Sequence, residues 1–300
     1  MKQFLSACLA VLLLAVLLVL PAAAEETADA PNLTPEFSVT AEAAYVANTD
    51  TGLVVYEKNS ETPMAAASLT KLMTMILMLE SYQDQLDTIS ITAPGYIYDY
   101  LYGKNASTAD IWKDETHTLR SLLYAMLLPS ANEAAYIVAD YMSGSSIDNF
   151  VAMMNQKAEE LGLTNTHFEN CTGLHNDNHY STCRDIAVLM SECLKSDTFR
   201  EIVTREVYTT EATASHPEGI TLYDTMLHRF TSYEMSTTLE NGAVIEGGKT
   251  GFTDEAGQCL VSFAEYGGEE YILVTAEAMT DSGSAVDSIA DASTVYGRLQ

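Results

Sequence analysis

Ser68 and Lys71 stand three residues apart in Ala-Ala-Ala-Ser-Leu-Thr-Lys-Leu-Met-Thr, residues 65–74, an apolar stretch that predicts a helix. Positions i and i+3 share a helix face, so the hydroxyl and the amine would be neighbours. A serine becomes a nucleophile only when a base takes its proton. A lysine can be that base only if burial or a nearby cation lowers its pKa. The first turn of a helix would also favour an oxyanion at Ser68. A second cation is available at Lys249, in Gly-Gly-Lys-Thr-Gly, residues 247–251. There Lys249 and Thr250 suit a carboxylate, Gly251 lets backbone come close, and a strand edge can pair with an extended peptide. A third polar element, Ser130-Ala131-Asn132, is wedged between two apolar runs. Alone it reads as a helix stop and N-cap, and none of the three triplets is diagnostic by itself.

The surrounding pattern supplies the elements that must position them. Residues 43–59 give two short strand-like runs around Asn48-Thr49-Asp50-Thr51-Gly52, a hairpin. Residues 68–82 form a helix apolar nearly all round, hence central. Two apolar helical stretches flank Pro129-Ser130-Ala131-Asn132 within residues 118–142. Residues 146–162 read as an amphipathic helix entered at Ser146 and ended at Gly162, and another follows Ser181-Thr182. Strand character returns over residues 243–279, with Gly267-Gly268 as a turn, and a helix over roughly residues 284–298 closes the chain. Strands at both ends around a helical middle predict an α/β (α+β) fold. Its antiparallel sheet is built from both chain ends, flanked by helices, with a mostly helical region inserted at about 84–200. Clefts form where two such parts meet.

Lys2, the mostly apolar run from Phe4 to Leu20 and Pro-Ala-Ala-Ala fit a secretory signal cleaved after Ala24, with a linker over residues 25–40 and a single domain over 41–300. The rival is an uncleaved anchor, since the run nearly spans a bilayer, but the small-residue site favours removal. No other segment is long and apolar enough to cross a membrane, so no membrane anchor is visible after cleavage. The chain carries 14 basic and 42 acidic residues, a formal charge of −28. Losing Lys2 with the leader would make it more negative still. Such a surface repels nucleic acid and anionic lipid.

Of the five cysteines, Cys8 lies in the leader, and Cys171, Cys183, Cys193 and Cys259 form an even set in an exported chain. Cys183 and Cys193, at opposite ends of a helix, would be about 15 Å apart, too far to bridge. His167, Cys171, His175, His179 and Cys183 recur every four residues, which raises zinc. Gly173 and His-Asn-Asp-Asn-His argue that the stretch is not one helix face, so no metal or other cofactor is expected. His179 is expected to hydrogen-bond the following Ser181-Thr182. The methionines read as core filler.

Ser68-Leu-Thr-Lys71, Ser130-Ala-Asn132 and Lys249-Thr-Gly251, in that order and with long separations, resemble the penicillin-recognising serine acyltransferases. Four longer stretches, Thr51 to Thr74, Leu127 to Asp140, Phe150 to Asn170 and Gly247 to Phe263, resemble the low-molecular-weight D-alanyl-D-alanine carboxypeptidases, peptidase family S11. The resemblance covers roughly residues 41–297 and implies a beta-lactamase/transpeptidase-like fold. It further implies that Ser68 attacks the carbonyl between two terminal D-alanines of a peptidoglycan stem peptide. Lys71 would be the base, and Ser130, hydrogen-bonded with Lys71 and Lys249, would relay the proton to the leaving amine. Asn132 would hold the substrate amide, Lys249 and Thr250 the free carboxylate, with Gly251 beside them. The backbone N–H groups of Ser68 and Phe252 would form the oxyanion hole.

Peptidoglycan stem peptides and beta-lactams, the latter as covalent inhibitors, are thus the implied partners. The implied location is outside the cytoplasmic membrane, at its outer face, in the cell wall or beyond. Departures from the family pattern are Glu133 for the usual Asp, and cysteines at Cys171 and Cys183 where the pattern has Pro and Ala. Against that pattern, a Cys171–Cys183 disulfide is a hypothesis. A beta-lactamase of class A would need a Glu-x-x-Leu-Asn context, which Glu159 and Glu160 do not give. Endopeptidase or transpeptidase action is chemically adjacent, because the same acyl-enzyme serves it. A silent wall-binding protein would not need all of the motif residues.

Overall fold

The computed structural model describes residues 37–278 and 286–300. The expected signal segment and linker residues 25–36 lie outside the described residues. Two strands open the fold, β1 (Ala43–Asn48) and β2 (Val54–Lys58). Their turn is held by Asn48, whose Oδ1 accepts from the backbone N–H of Asp50 and Thr51 and from the Thr51 hydroxyl. Helix α1 (Lys71–Tyr82) follows a 3-10 turn at Ala67–Thr70. Next come β3 (Ser90–Thr92), α2 (Ile97–Leu101), β4 (Thr116–Thr118), α3 (Leu119–Leu127), α4 (Asn132–Ser143), α5 (Ile147–Glu160), α6 (Cys183–Cys193) and α7 (Asp197–Val203). The hairpin β5 (Val207–Thr209) and β6 (Thr221–Tyr223) precedes α8 (Leu227–Ser232). The meander β7 (Val244–Thr253), β8 (Gly257–Tyr266) and β9 (Glu269–Ala278) and the last helix α9 (Asp287–Tyr296) complete the chain.

The main sheet runs β2-β1-β9-β8-β7, all antiparallel. Its two chain ends meet where β1 pairs with β9, Ala43 opposite Ala276 and Asn48 opposite Tyr271. Strand alternation divides the core. Cys259, Val261 and Phe263 of β8 face a large cluster built with α1, α3, α4, α5 and α6. Leu260 and Ala264 face a smaller one with Met226, Phe230 and the Ile289, Ala292, Val295 and Tyr296 side of α9. Because both faces are covered, β8 is buried for eight of its ten residues, which explains its nearly unbroken apolar sequence.

Helix entries follow the sequence signals. Ser146 caps α5 through Asn149 N, and Thr182 caps α6 through Asp185 N. Helix α4 ends at Gly144 in the left-handed conformation, φ 66°, the usual glycine C-cap geometry. Helix α1 is buried from Lys71 through Leu79. The short hairpins β3–β4 and β5–β6, and helices α2, α7 and α8, have too few residues to show a period.

Asp291 of α9 accepts from Thr40 N, Thr40 Oγ1 and Ala41 N, at 2.8, 2.9 and 2.9 Å, tying the entry of β1 to the last helix. Replacing it leaves the buried Ala41 N–H and the part-buried Thr40 N–H unpaired. Asp291→Ala is expected to lower unfolding free energy by about 2 kcal/mol. Urea unfolding of the two proteins measures the difference.

Candidate active site

Ser68 sits in the 3-10 turn just ahead of α1. Ala67, next to it, has φ 44°, a region that L-residues rarely hold unless their surroundings enforce it. Those surroundings are two glycines. A Cβ on Gly173 would lie 1.7 Å from the Ala67 carbonyl oxygen, and one on Gly251 would lie 3.1 Å from Ser68 N. The loop at 170–174 and strand β7 therefore clamp the serine's turn from two sides. Asn170 shapes that loop by accepting, through Oδ1, from the backbone of Thr172 and Gly173 and from the Thr172 hydroxyl.

Lys71 opens α1 and is fully buried. Its Nζ lies 2.9 Å from Ser68 Oγ, 3.0 Å from Asn132 Oδ1 and 2.9 Å from the Thr172 carbonyl. Burial pushes its pKa well down, and the charge of Lys249 pushes it further. A neutral amine has two N–H groups and one lone pair. The two carbonyl-type oxygens take the donors, which leaves the lone pair for the Ser68 hydroxyl. The arrangement is that of a nucleophile with its base in place.

Asn132 is held rather than free. Its amide donates to Ser107 O at 3.0 Å, and its own backbone N–H reaches the same carbonyl at 2.9 Å. Glu133 secures the same loop, its Oε1 accepting from Ala109 N at 2.6 Å. Burial lifts the Glu133 carboxyl to about 7. Asn132, expected to hold a substrate amide, thus first positions Lys71 and joins it to the loop at 107–109.

Ser130 lies at the break between α3 and α4, with φ 64° and a buried hydroxyl that has no hydrogen-bond partner. The expected bonds from Ser130 to Lys71 and Lys249 are therefore corrected. Lys71 is engaged as above, and Lys249 Nζ donates to Thr250 O at 2.8 Å. The Ser130 hydroxyl is left open.

Lys249 is buried on β7, and burial lowers its pKa while the charge of Asp224 raises it. Asp224, also buried, accepts from Met226 N at 2.8 Å and Leu227 N at 2.7 Å. Thr250 Oγ1 lies 2.6 Å from Thr225 Oγ1. Phe252 lies further along β7, 57% exposed, where it borders the cavity in front of Ser68. That cavity, 350 Å³, is also bordered by Asn132, Ser107, Gly173 and Asp254. Strand β7 is an edge of the main sheet; its start is bonded to Thr237 and Thr238, and no further named strand pairs with its outer side.

Ser68, Lys71, Asn132, Gly251 and Phe252 thus meet around one cleft, with Lys249 and Thr250 on the strand that walls it. Thr172, Ser107, Asp224 and Thr225 were not singled out from the sequence. Two act through main-chain carbonyls, which leave no trace in residue type, and the other two leave a three-residue strand too short to read.

Two further expectations are corrected. All four described cysteines are free thiols. Cys171 packs behind Lys71, its carbonyl accepting from Thr74 Oγ1, whereas Cys183 opens α6 on the side of Cys259. Both are buried in the large core cluster, and burial pushes both thiols up. His179 bonds Thr70, not the following Ser181-Thr182: its Nε2 lies 2.7 Å from Thr70 Oγ1 while Nδ1 accepts from Glu169 N. The proton is therefore assigned to Nε2. His167 and His175 pair instead with Glu169 and Asp177 at the surface.

The profile of the D-alanyl-D-alanine carboxypeptidase family, peptidase S11, matches residues 25–280. The chain is similar to D-alanyl-D-alanine carboxypeptidase DacF of Bacillus subtilis, 33% identical over 250 residues, covering 82% of this chain and 60% of that protein. It is also similar to the D-alanyl-D-alanine carboxypeptidase of Streptomyces sp. (strain K15), 35% identical, covering 78% and 80%. The solved Streptomyces K15 DD-transpeptidase matches at a TM-score of 0.77 and 31% identity, over 87% of this chain and 98% of that one. Penicillin-binding protein D2 of Listeria monocytogenes, solved in its ampicillin-bound form, matches at 0.70 and 29%, over 87% and 97%. The chain therefore spans about three fifths of the Bacillus relative's length, and its fold is the expected transpeptidase-like one.

Burial holds the His179 imidazole neutral, its pKa brought down to about 4, whereas an unfolded histidine titrates near 6.5. Below about 6.5 the unfolded chain takes up a proton that the folded one refuses. Stability is expected to fall as pH drops from about 6.5 to about 4, and His179→Gln should remove that part of the slope. Urea unfolding at a series of pH values measures it.

Proposed function

Because this chain belongs to the S11 family of D-alanyl-D-alanine carboxypeptidases, we propose that it hydrolyses the terminal D-Ala-D-Ala bond of peptidoglycan stem peptides through an acyl-enzyme on Ser68. The observation that carries this reading is the Lys71 amine, buried, lowered in pKa, and 2.9 Å from Ser68 Oγ. An extended peptide end would lie along the free edge of β7. Its terminal carboxylate would meet Lys249 and the Thr250–Thr225 hydroxyl pair.

Lys71 takes the Ser68 proton as Oγ forms a bond to the penultimate D-alanine carbonyl. The developing oxyanion is met by the backbone N–H groups of Ser68 and Phe252, donors of the kind worth about 10²–10³ in rate each. The unpartnered Ser130 hydroxyl then passes a proton from Lys71 to the departing amine as the C–N bond breaks. Water, deprotonated by the same Lys71, releases the shortened peptide. A beta-lactam carries a strained amide and a carboxylate in a similar relation, so it would acylate Ser68 by the same steps. The ampicillin-bound state of the Listeria relative is in keeping with that. Acting on stem peptides, the protein would work outside the cytoplasmic membrane, in or at the cell wall. Among the described residues no helix is long and apolar enough to cross a membrane.

A peptide ending in two D-alanines tests the reading. Release of one D-alanine, blocked by penicillin, is expected; a peptide left intact by folded protein would reject it. Ser68→Ala should lower the rate at least about 10³-fold. Lys71→Arg should fall as far, because a guanidinium stays protonated and cannot serve as the base.

The pH profile gives a second test. Lys71 must be neutral and Lys249 charged, so kcat/KM rises as Lys71 loses its proton and falls as Lys249 does. Asp224 opposes the loss at Lys249. Asp224→Asn is expected to move the alkaline limb to lower pH and leave the acidic limb in place. An unmoved alkaline limb would remove Asp224 from this role.

A further inference from the structure

Behind the loop that holds Asn132 lies a second recess, of 430 Å³. Ser107 and Asn132 border the catalytic cavity, while the next residues, Thr108 and Glu133, border this recess. The two hollows therefore share a wall. The rest of the recess is largely aromatic, built on Tyr98 and Trp112. Trp112 is the only tryptophan of the chain, and it is 52% exposed although it is held from three directions. Its Nε1 donates to Asp110 Oδ1 at 2.8 Å and its backbone N–H to Glu115 Oε2 at 2.7 Å, while its ring meets the His216 ring at 5.2 Å and 70°. Tyr98 is fixed by its hydroxyl, which donates to Ile111 O at 2.6 Å. Rings held in this way can take a ligand with little further loss of freedom.

The polar groups around these rings narrow the chemistry of an occupant. Asp110, Thr108 and Lys113 border the recess, and Glu133, deeper, keeps one carboxyl oxygen on Ala109 N. Two carboxyls against one amine disfavour an anion. A wholly apolar occupant would strip water from Asp110 and Lys113 and give nothing back. A sugar ring meets both demands, because its C–H face packs on an aromatic ring and its hydroxyls donate as well as accept. The recess of 430 Å³ is within the range of about 300–1,000 Å³ that takes whole ligands. The proposed substrate has a sugar within reach. Four extended residues, about 13 Å, separate the attacked carbonyl of a stem peptide from the sugar that carries it.

We propose that this recess binds a sugar ring of the glycan strand to which the stem peptide is joined, so that the enzyme grips its polymer beside the bond it cleaves. This rests on the reading of Ser68 as the nucleophile that attacks a stem peptide. The stem leaves the catalytic cavity over Ser107-Thr108, and the C–H face of the sugar lies on Trp112. Asp110 and Thr108 accept from its hydroxyls, and Lys113 donates to an oxygen on the ring or its substituent. No bond is made or broken in the recess, so its contribution is to affinity for the attached substrate.

With a single tryptophan in the chain, fluorescence reads the recess directly. The purified protein is titrated with the disaccharide repeat of the glycan freed of peptide, and a saturable change in Trp112 emission is expected. No saturable change overturns the proposal, as does an equal change with the free pentapeptide, which would give the recess to the peptide. Kinetics supply the second arm. D-Alanine release is measured from the free pentapeptide and from the same pentapeptide on its disaccharide. kcat/KM is expected to be at least about threefold higher for the attached substrate, through KM, which is the scale of one stacked ring. Trp112→Ala is expected to bring the two substrates within about twofold and to leave the free pentapeptide rate within about twofold of wild type. Acylation by a labelled penicillin reports that the variant is folded; if it is not, Trp112→Leu, which keeps apolar bulk without a ring face, replaces it. Equal kcat/KM for the two substrates in the wild type overturns the sugar site alone, as does a variant that slows both equally. Protein that releases D-alanine from neither overturns the acyl-enzyme reading, and the titration then still decides the recess.

Discussion

A buried amine with no carboxylate partner is the constraint on which the rest of this structure depends. Lys71 is enclosed at the start of α1, and an unpaired ammonium there would be costly. The protein resolves the cost by lowering the amine's pKa instead of neutralising its charge with an acid. No ion pair to Lys71 is formed among the described residues; its neighbours are two carbonyl-type oxygens and a hydroxyl. An ion pair would have held the amine protonated and useless as a base. The choice of Asn132 and a main-chain carbonyl, both acceptors without charge, is what the proposed role of Lys71 as base requires.

That choice propagates outward. The Thr172 carbonyl must reach under α1, so the loop at 170–174 has to press on the serine's turn, and Gly173 is needed because Ala67 O leaves no space for a Cβ. The Asn132 side chain must be oriented, so the loop at 107–109 is fixed to it through Ser107 and to α4 through Glu133. On the opposite side, Lys249 adds a repelling charge that lowers Lys71, while burial lowers Lys249 itself to about 7. Asp224 supplies the opposing field at Lys249, and the start of α8 holds Asp224 through two backbone N–H groups. Each amine is thus set by a different set of neighbours within one cleft.

What the sequence made legible follows the same division. The sheet from both chain ends, α1, α3 to α6 and the three motif segments were readable because apolar period, caps and turn residues act locally. The contacts that decide Lys71's state were not, since a carbonyl at Thr172 or Ser107 is available at every residue. The same limit explains two misread side chains. Spacing places His179 beside Ser181-Thr182, but the chain turns back and sets it on Thr70. Cys171 and Cys183 are twelve positions apart on a loop that could have bridged them, yet one packs behind Lys71 and the other opens α6.

The strong negative charge of the chain, −28, would repel the proposed substrate, which ends in a carboxylate, and distance would offset this at the site. Surface charges farther than about 8–10 Å are largely screened at physiological salt, while a cation in a low-dielectric wall is not. Lys249 and Thr250 are buried on β7, so their attraction acts where the acidic surface is already screened. Near the mouth the balance is local: Asp254 and Glu255 border the cavity together with Lys104 and His175. Under the proposed reading a free carboxylate would gain most by going deep, which would set the chain end at Lys249 and the preceding carbonyl at Ser68. The acidity makes the surface repel anionic polymers, and the buried Lys249 makes the cleft wall an exception to it.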